Sequence, residues 1–462
     1  MSAADVLQPD IAYPPGPPSR LFGIPLKNEW ARNPVDFIQR LQADYGDVTH
    51  MRIAGEHLYG IFHPTLMREV LVDHARDFTR VERIIDVIVR MQGKSLLTTE
   101  GDLWKSRRRM LQPLFSPARM GNYARLMVAA ASRHLQVLIS DQREVIDFEH
   151  VMTMLTMDVI MQMEFSRPAG EDAEKVERAI RYLSEVDIKR MFSVLSLPEW
   201  MPHKAEERRG RRVLNDLVWT QIQHRRAELS KGAAPREDFL GALMALRDDD
   251  GADGGLGDEE IRDQCMTMFL GGHDTTASAL TWWGFAMTSN PECAQRAAAE
   301  VDDVLGGRPP AYEDIPKLEY LNRTLQETMR LYPPFAILIS RRAMQPISIG
   351  PWQIPKGAAV MLSPWVVHRD ARWFPDPETF DPDRFTEENS SQRPRGAFLP
   401  FGAGPRVCIG NTFALTQMSL VSAMVLQRYR FHSVATDKAA DNPTYNFTLR
   451  PAAGMRLELS KR

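Results

Sequence analysis

The stretch FLPFGAGPRVCIG, Phe398–Gly410, holds a single cysteine, Cys408, in a loop that contains two prolines and three glycines. Glycine permits unusual backbone angles and the close approach of another group, while proline stiffens the loop. The loop leads directly into a predicted helix over Asn411–Gln427. Backbone N–H groups there would point at the sulfur, and together with the helix N-terminus and a metal centre they would favour the thiolate of Cys408 over the thiol.

A thiolate placed in this way suits the axial position of a haem iron, although a buried structural cysteine is the commoner fate of a lone thiol. Zinc would need three or four protein ligands, and Cys265 and Cys293 are too scattered for a zinc or iron–sulfur site. A cysteine nucleophile would need a positioned histidine. The nearest one upstream, His368, lies in a loop-like stretch without an acyl-transfer signature.

The composition is that of a globular protein: 462 residues, of which 44% are hydrophobic and 25% charged. A net charge of -3 gives no global attraction to nucleic acid or to an anionic membrane. The N-terminus lacks a signal peptide, and no stretch is apolar for long enough to anchor the chain in a membrane. Together with the few cysteines, this predicts a soluble, unprocessed cytoplasmic protein that does not bind nucleic acid.

The chain is predicted to form a Pro-rich lead-in over residues 1–20 and one domain over residues 21–462, with a β-rich N-terminal lobe and an α-rich body. Two β-rich runs, Val48–Ile53 and His57–Phe62, flank a turn and predict a hairpin. From Pro64 to Asn290, apolar residues recur at three- and four-residue intervals, which indicates helices.

The segment Gly257–Pro291 predicts one helix of about 33 residues, preceded by a surface loop over Arg247–Gly257. Its centre reads GGHDTT, a run of poor helix formers. Gly271 would let a flat group approach, and the Thr275 hydroxyl would bond the carbonyl four residues back and open the helix locally. A glycine-relieved helix crossing is an equally good explanation, and His273 is expected to be a packed or solvated side chain rather than a ligand.

FGAGPRVCIG, Phe401–Gly410, resembles the haem-binding signature of the cytochrome P450 family, and all five defining positions match. The resemblance implies a mainly α fold with small β-sheets and a long central helix over haem b. It implies Cys408 as the axial thiolate ligand, with Phe401 and Gly271 against the haem. GGHDTT looks like the family's oxygen-activation motif, with Asp274 as the acid and Thr275 as the alcohol.

Two further motifs look like those of the family. ETMR and DPDRF would supply a Glu-Arg-Arg network of Glu327, Arg330 and Arg384, which we assign to fold integrity rather than to chemistry. Because Glu327 and Arg330 lie on one face of a helix, a buried three-charge cluster would clamp the loops around the thiolate.

WKSRRRM resembles the family's Trp-x-x-x-Arg helix, in which i,i+4 spacing places Trp104 and Arg108 on one face. Both would donate to the haem propionates. ISRRAM offers a further propionate arginine, for which spacing favours Arg342 over Arg341, and Arg406 is another candidate.

The neighbouring Lys105, Arg107 and Arg109 form either a solvated basic face or a docking site for an acidic electron donor. The chain ends 54 residues after Cys408, so we expect no fused reductase. By resemblance, electrons would come from a ferredoxin or flavodoxin with its NAD(P)H-dependent reductase.

The predicted function is a haem-thiolate monooxygenase that inserts one atom of O2 into an apolar small molecule: a fatty acid, a terpenoid or a steroid-like compound. The segments where the family usually lines its pocket, Ile84–Met91, Met191–Trp200 and PPFAILIS, are apolar. A peroxygenase or isomerase would not require the Asp274–Thr275 pair. A non-catalytic haem sensor and a haem-free cysteine hydrolase are the remaining alternatives.

Overall fold

The computed structural model describes residues 12–136, 143–191, 202–246, 256–432 and 443–462. Within these ranges helices predominate and strands form small sheets, which confirms the predicted fold class. The α-helices of this part of the chain, numbered α1–α16 in order, are Ile24–Arg32, Pro34–Tyr45, Pro64–Arg68, Glu82–Gln92, Gly101–Leu111, Pro117–Leu135, Phe148–Phe165, Ala173–Met191, Pro202–Ser230, Phe239–Ala245, Asp258–Ser289, Pro291–Leu305, Glu319–Leu331, Pro364–Val367, Glu387–Ser391 and Asn411–Arg428. The strands, numbered β1–β12, are Val48–Ile53, Glu56–Ile61, Phe78–Arg80, Glu144–Asp147, Arg341–Ala343, Ile347–Ile349, Trp352–Ile354, Ala359–Leu362, Tyr429–His432, Pro443–Asn446, Thr448–Pro451 and Arg456–Lys461.

The chain divides into two compact units that are interleaved in the sequence. The β-rich unit consists of the described residues up to Ile84 with Ala336–Pro377 and Gln392–Val407. The helical unit consists of Ile85–Phe335, Glu378–Ser391 and Cys408–Arg462. The β-rich unit therefore draws on three distant segments, whereas the sequence predicted a β-rich lobe at the N-terminus.

A five-stranded sheet organises the β-rich unit, with strand order β1-β2-β8-β5-β3. The predicted hairpin is confirmed as β1 and β2, which pair antiparallel around Ala54 and Gly55. Both turn residues have positive φ, 51° and 86°, as the favoured two-residue hairpin turn requires. The end of the lead-in packs on this hairpin, because the Tyr13 ring stacks on His50 and the Pro15 carbonyl accepts from the His50 amide.

The helical unit is built around α11, which confirms the predicted long helix. The helix begins with three acidic residues, which are favourable at a helix N-terminus, and it ends before Pro291. It packs against α7, α9, α13 and α16. Trp282 and Trp283 are fully buried, and Trp283 Nε1 donates to Thr324 Oγ1 of α13 at 3.0 Å. These contacts fix the position of α11 in its unit.

The helix that follows Cys408 is α16, and it confirms the helix predicted from Asn411. No helix in the described ranges is both long enough and apolar enough to cross a membrane. Most of the predicted loop Arg247–Gly257 and of the predicted pocket segment Met191–Trp200 lies outside the described residues.

Candidate active site

The surroundings of Cys408 include one of the predicted backbone donors and a nearby arginine. Burial raises the pKa of the Cys408 thiol, while a hydrogen bond from the Gly410 N–H and the charge of Arg108 lower it to a smaller extent. The predicted N–H contact is confirmed. Desolvation of the charged form outweighs both favourable contacts, so these protein groups alone do not favour the thiolate. A coordinated metal ion would supply the missing stabilisation.

The donor set at Cys408 fits an iron porphyrin better than a closed protein metal site. The Cys408 side chain is accessible, although its sulfur is set deep enough for desolvation to dominate its pKa. In the described part of the chain, His, Cys, Asp and Glu side chains form no group of three or more that would hold a metal ion. A single thiolate is the protein ligand that a haem-thiolate iron needs, whereas zinc would need further protein ligands.

Trp104 and Arg108 both lie on α5, next to the first turn of α16. Both line a cleft of about 820 Å³, together with Thr412 in the first turn of α16. Burial lowers the pKa of Arg108, and the charge of Cys408 opposes that effect. The guanidinium therefore interacts electrostatically with the sulfur, and its predicted propionate role stays a prediction.

Arg107 does not belong to the solvated basic face that was one explanation of this helix. It is buried and forms an ion pair with Glu260 in the first turn of α11. The exposed cations of this stretch are Lys105, which pairs with Asp102 at 2.9 Å, and Arg109. The basic face is thus narrower than the sequence indicated.

The centre of α11 is continuous helix. Thr275 Oγ1 donates to the Gly271 carbonyl at 2.8 Å, which confirms the predicted bond. The predicted local opening is wrong, because α11 runs unbroken through this segment. A Cβ at Gly271 would meet no atom within 4 Å, whereas a Cβ at Gly272 would lie 2.5 Å from Ile160 Cδ1. Only Gly272 is required by helix packing, and the backbone beside Gly271 is open to a ligand.

His273 is a packed residue, as the sequence predicted. It is buried, its ring stacks on Phe269, and its Nδ1 donates to the Phe269 carbonyl at 2.8 Å. Burial lowers the pKa of His273, so the imidazole is neutral and committed to its own helix.

Asp274 is held by two side chains of β11 that the sequence did not lead us to single out. Thr448 Oγ1 donates to Asp274 Oδ2 at 2.7 Å, and Arg450 forms an ion pair with Asp274 Oδ1. Burial raises the pKa of the Asp274 carboxyl, but Arg450, His273 and Thr448 lower it by more, so the net shift is downward. Alternation along the strand puts Thr448 and Arg450 on the same side, a pattern too short to be recognised in advance.

The β-rich unit places Arg342 among acceptors of its own. Its Nε donates to Glu82 Oε2 at 2.6 Å, its Nη1 to the Gly357 carbonyl at 2.7 Å, and its Nη2 lies 3.5 Å from Glu56 Oε1. Arg341 is the adjacent residue of β5 and therefore faces the opposite side of the sheet. A propionate role for Arg342 stays a prediction, and it would have to compete with these three acceptors.

Phe401 and Arg406 are both partly buried in the loop that precedes Cys408. The loop closes in a 3-10 turn over Gly404–Arg406. Gly404 has φ 71°, and a Cβ there would lie 1.9 Å from the Leu71 carbonyl oxygen, so only glycine fits. The loop is thus shaped by close backbone packing, and the haem-contact roles of Phe401 and Arg406 remain predictions.

His368 supports the same loop and is not available as a catalytic base. It is fully buried, its Nε2 accepts from the Leu399 N–H at 2.9 Å, and its ring packs against Phe374 and Phe398. A cysteine–histidine hydrolase would need that nitrogen to face the thiol.

The predicted Glu-Arg-Arg network is confirmed within the helical unit. Arg330 Nε and Nη2 donate to the two oxygens of Glu327 at 2.6 and 2.7 Å, and Arg384 Nε lies 3.4 Å from Glu327 Oε1. The side chains of Glu327 and Arg330 are fully buried. Glu327 also accepts from the Asp381 N–H at 2.9 Å, so the cluster fastens α13 to the segment around Arg384.

Comparison with known proteins identifies one family. Residues 14–456 match the family described as Cytochrome P450. Cyclooctatin synthase of Streptomyces melanosporofaciens is 34% identical over 435 residues, which cover 93% of each chain. Cyclooctat-9-en-7-ol 5-monooxygenase of the same species is 31% identical over 87% of this chain and 86% of its own. Pentalenene oxygenase of Streptomyces avermitilis is 32% identical over 93% of this chain and 94% of its own.

Proposed function

The chain belongs to the cytochrome P450 family of haem-thiolate monooxygenases, and on that premise we propose that Cys408 is the axial ligand of haem b. The observation that carries the proposal is the setting of the Cys408 sulfur. It is accessible, it accepts from the Gly410 N–H, and it interacts with the Arg108 charge. The alternatives of a reductase-independent enzyme or a sensor have no comparable support.

The other side chains around this site have separate roles in haem binding and in proton delivery. Haem iron with an axial thiolate supplies the activation of O2 and the oxidation of the substrate. Trp104 and Arg108 would donate to the propionates, with Arg342 and Arg406 as further donors. Thr275 holds a water by its hydroxyl, and Asp274 passes protons to that water from solvent.

The test of the ligand is the spectrum of the dithionite-reduced protein with carbon monoxide. A strongly red-shifted Soret band reports thiolate ligation, and we expect Cys408→Ala to lose it. Cys293→Ala, in a partly buried cysteine elsewhere in the chain, is the matched control and should keep the band. A wild-type band in Cys408→Ala would refute the assignment.

We propose that the substrate is a terpenoid. Two of the similar proteins are named for cyclooctat-9-en-7-ol and for pentalenene. Ile84–Met91, a predicted pocket segment, lies on α4 and remains apolar apart from Asp86 and Arg90, both of which are exposed. A substrate without a fixed charge suits such a lining.

Binding spectra separate the substrate classes. Cyclic terpene hydrocarbons and alcohols should give type I shifts at lower concentration than fatty acids of equal carbon number. Tighter binding of the fatty acids would assign the site to that class instead. Either result leaves the haem assignment intact, because that assignment is tested by the carbon monoxide spectrum.

We propose that the electron donor is a ferredoxin or flavodoxin that docks on the exposed face of α5. Lys105 and Arg109 are the exposed cations there, and both line the cleft that also contains Arg108. Acidic redox proteins complement such a face in charge.

A further inference from the structure

Asp274 is fixed by a short hairpin near the C-terminus. The hairpin pairs β10 with β11, and Phe447 alone forms its turn, with φ 63°. A positive φ is costly for a bulky residue and persists only where surrounding contacts hold it. Thr448 and Arg450 project from the same side of β11 and share the two oxygens of Asp274.

The hairpin is itself anchored on α11. The carbonyl of Leu449, between the two Asp274 partners, accepts from Ser278 Oγ at 2.6 Å and from Trp282 Nε1 at 2.9 Å. The Leu449 N–H donates to the Pro334 carbonyl at 2.9 Å. Leu449 is fully buried, and its hydrogen bonds on both sides give Arg450 a defined position relative to Asp274.

On the far side of Arg450 from Asp274, side chains of alternating charge form a series of ion pairs that reaches the solvent. Arg450 Nη1 lies 2.7 Å from Glu149 Oε1, and Arg181 Nη2 lies 3.6 Å from the same oxygen. Arg181 also pairs with Glu177 at 2.8 Å, and its side chain is 51% exposed. The chain of ion pairs therefore runs from Asp274 on α11 to solvent at α8.

The charged and titratable groups that face Asp274 come from each element packed against it. Arg450 approaches from β11, His273 from the same helix, and Glu149 from the start of α7 behind Arg450. Arg181 and Glu177 complete the set on α8. Arg450 is the cation in direct contact, and Glu149 opposes any displacement of it.

We propose that Arg450 is a positioning residue that holds the Asp274 carboxylate against the C-terminal hairpin. Asp274 then delivers a proton only when it leaves Arg450, and it returns to Arg450 afterwards. The inference rests on the proposed role of Asp274. In each passage the carboxylate takes one proton from a hydronium ion of the solvent, which becomes water, and gives one proton to the water beside Thr275, so the charge of the carboxylate is restored. Glu149 keeps Arg450 in place while Asp274 moves, which returns the carboxylate to the same position.

The first measurement compares Arg450→Gln with Arg450→Lys in the haem-loaded enzyme. Product formed per NAD(P)H should fall at least threefold in Arg450→Gln. The acid limb of the pH profile should move upward, because Arg450 lowers the pKa of the Asp274 carboxyl and the variant removes that charge. Lysine keeps the charge and should restore most of both quantities. Arg456→Gln, an exposed arginine of β12, is the matched control and should behave as wild type.

A second measurement does not use activity. Thermal midpoints of Asp274→Asn, Arg450→Gln and the double variant form a cycle, and the two single losses should not add, because each removes the same ion pair. Thr448→Val, which removes the other partner of Asp274 with little change of shape, should shift the acid limb in the same direction by less. It serves in place of Arg450→Gln if that variant does not fold.

The outcomes separate the inference from the function on which it rests. Wild-type product per NAD(P)H in Asp274→Asn would refute the proton role of Asp274 and, with it, the inference. If Asp274→Asn is impaired while Arg450→Gln keeps the wild-type ratio and pH profile, only the inference is overturned. Product per NAD(P)H could fall in Arg450→Gln while the pH profile does not shift, while lysine does not rescue the loss, or while the losses in thermal midpoint are additive. Any of these results would assign Arg450 a structural role and would also overturn the inference.

Discussion

The hydroxyl of Thr275 donates to the Gly271 carbonyl and belongs to a partly exposed side chain, so it is accessible from the open side of α11. We expect Thr275→Ala to fold and to bind haem and substrate, because loss of this backbone contact does not weaken a helix. Without the hydroxyl, the water that receives the proton is no longer held. Product per NAD(P)H should fall several-fold and peroxide should rise accordingly, both measured in one turnover assay.

The control for Thr275→Ala is Thr281→Ala on the same helix. Thr281 makes the same kind of bond, to the Ala277 carbonyl at 2.8 Å, but it is fully buried. It should leave the peroxide fraction unchanged. An unchanged product ratio in Thr275→Ala would show that this threonine does not direct protons.

Glu164 gives a prediction about pH. It is fully buried in α7, and neither carboxyl oxygen has a hydrogen-bond partner within the described residues. Burial raises the pKa of this carboxyl well above its ordinary value, and the charge of Asp238 adds to the shift. The carboxyl is therefore neutral in the folded protein, and the stability it contributes is complete below its ordinary pKa and is lost as pH rises through the raised one.

We expect Glu164→Gln to remove that loss, because glutamine matches the neutral carboxyl in shape and cannot ionise. The wild type should lose up to about 1.4 kcal/mol per pH unit from this one group between its two pKa values. Urea midpoints at pH 5 and pH 8 measure the effect, and the difference between them should be smaller in the variant. Glu171→Gln, in an exposed position, should show the wild-type difference, and an equal result for both variants would contradict the prediction.

Contacts within one helix were predictable from the sequence, whereas contacts between distant segments were not. Thr275 and Gly271 are one turn apart, so helix geometry alone brings them together. Arg107 and Glu260 are 153 positions apart, and Arg450 and Asp274 are 176 apart. No local spacing rule connects such pairs, which is why the buried state of Arg107 and the partner of Asp274 emerged only from the fold.

The cluster of Glu327, Arg330 and Arg384 joins α13 to the segment that carries Arg384. We expect Glu327→Gln to destabilise the protein by about 3–5 kcal/mol, because it leaves buried guanidinium groups without their counter-charge. The thermal midpoint and the yield of haem-loaded protein should both fall. Glu319→Gln, at an exposed position on the same helix, should change stability by less than about 0.5 kcal/mol. Similar midpoints for the two variants would show that the cluster does not secure the fold.

Long elements with a strong period were predictable, and short ones were not. The apolar and acidic pattern of α11 and the residues that follow Cys408 predicted both helices within one or two positions. The strands β10 and β11 have four residues each, too few to establish a period of two. Their effect on Asp274 depends on docking against α11, which is a tertiary property.

The arrangement of the whole chain could not be inferred from local pattern either. The sheet of the β-rich unit pairs β2 with β8, strands separated by nearly 300 residues that include most of the helical unit. The texture change after Pro333 did predict short strands in that region. Their partners were not predictable, because strand pairing over such distances leaves no mark in either segment alone.

The proposed docking of the electron donor on α5 depends on local rather than overall charge. With a net charge of -3, long-range attraction cannot guide an acidic donor, so a local patch has to do so. We expect Arg109→Glu to slow reduction by ferredoxin roughly tenfold at low ionic strength, and the difference should shrink at about 0.5 M salt, where charges are screened. Reduction by dithionite should be unchanged, since it does not require docking. Arg125→Glu places the same charge change on an exposed position of α6 and should leave the ferredoxin rate within twofold of wild type. If Arg125→Glu slows reduction as much as Arg109→Glu does, or if the effect of Arg109→Glu persists at high salt, the donor docks elsewhere.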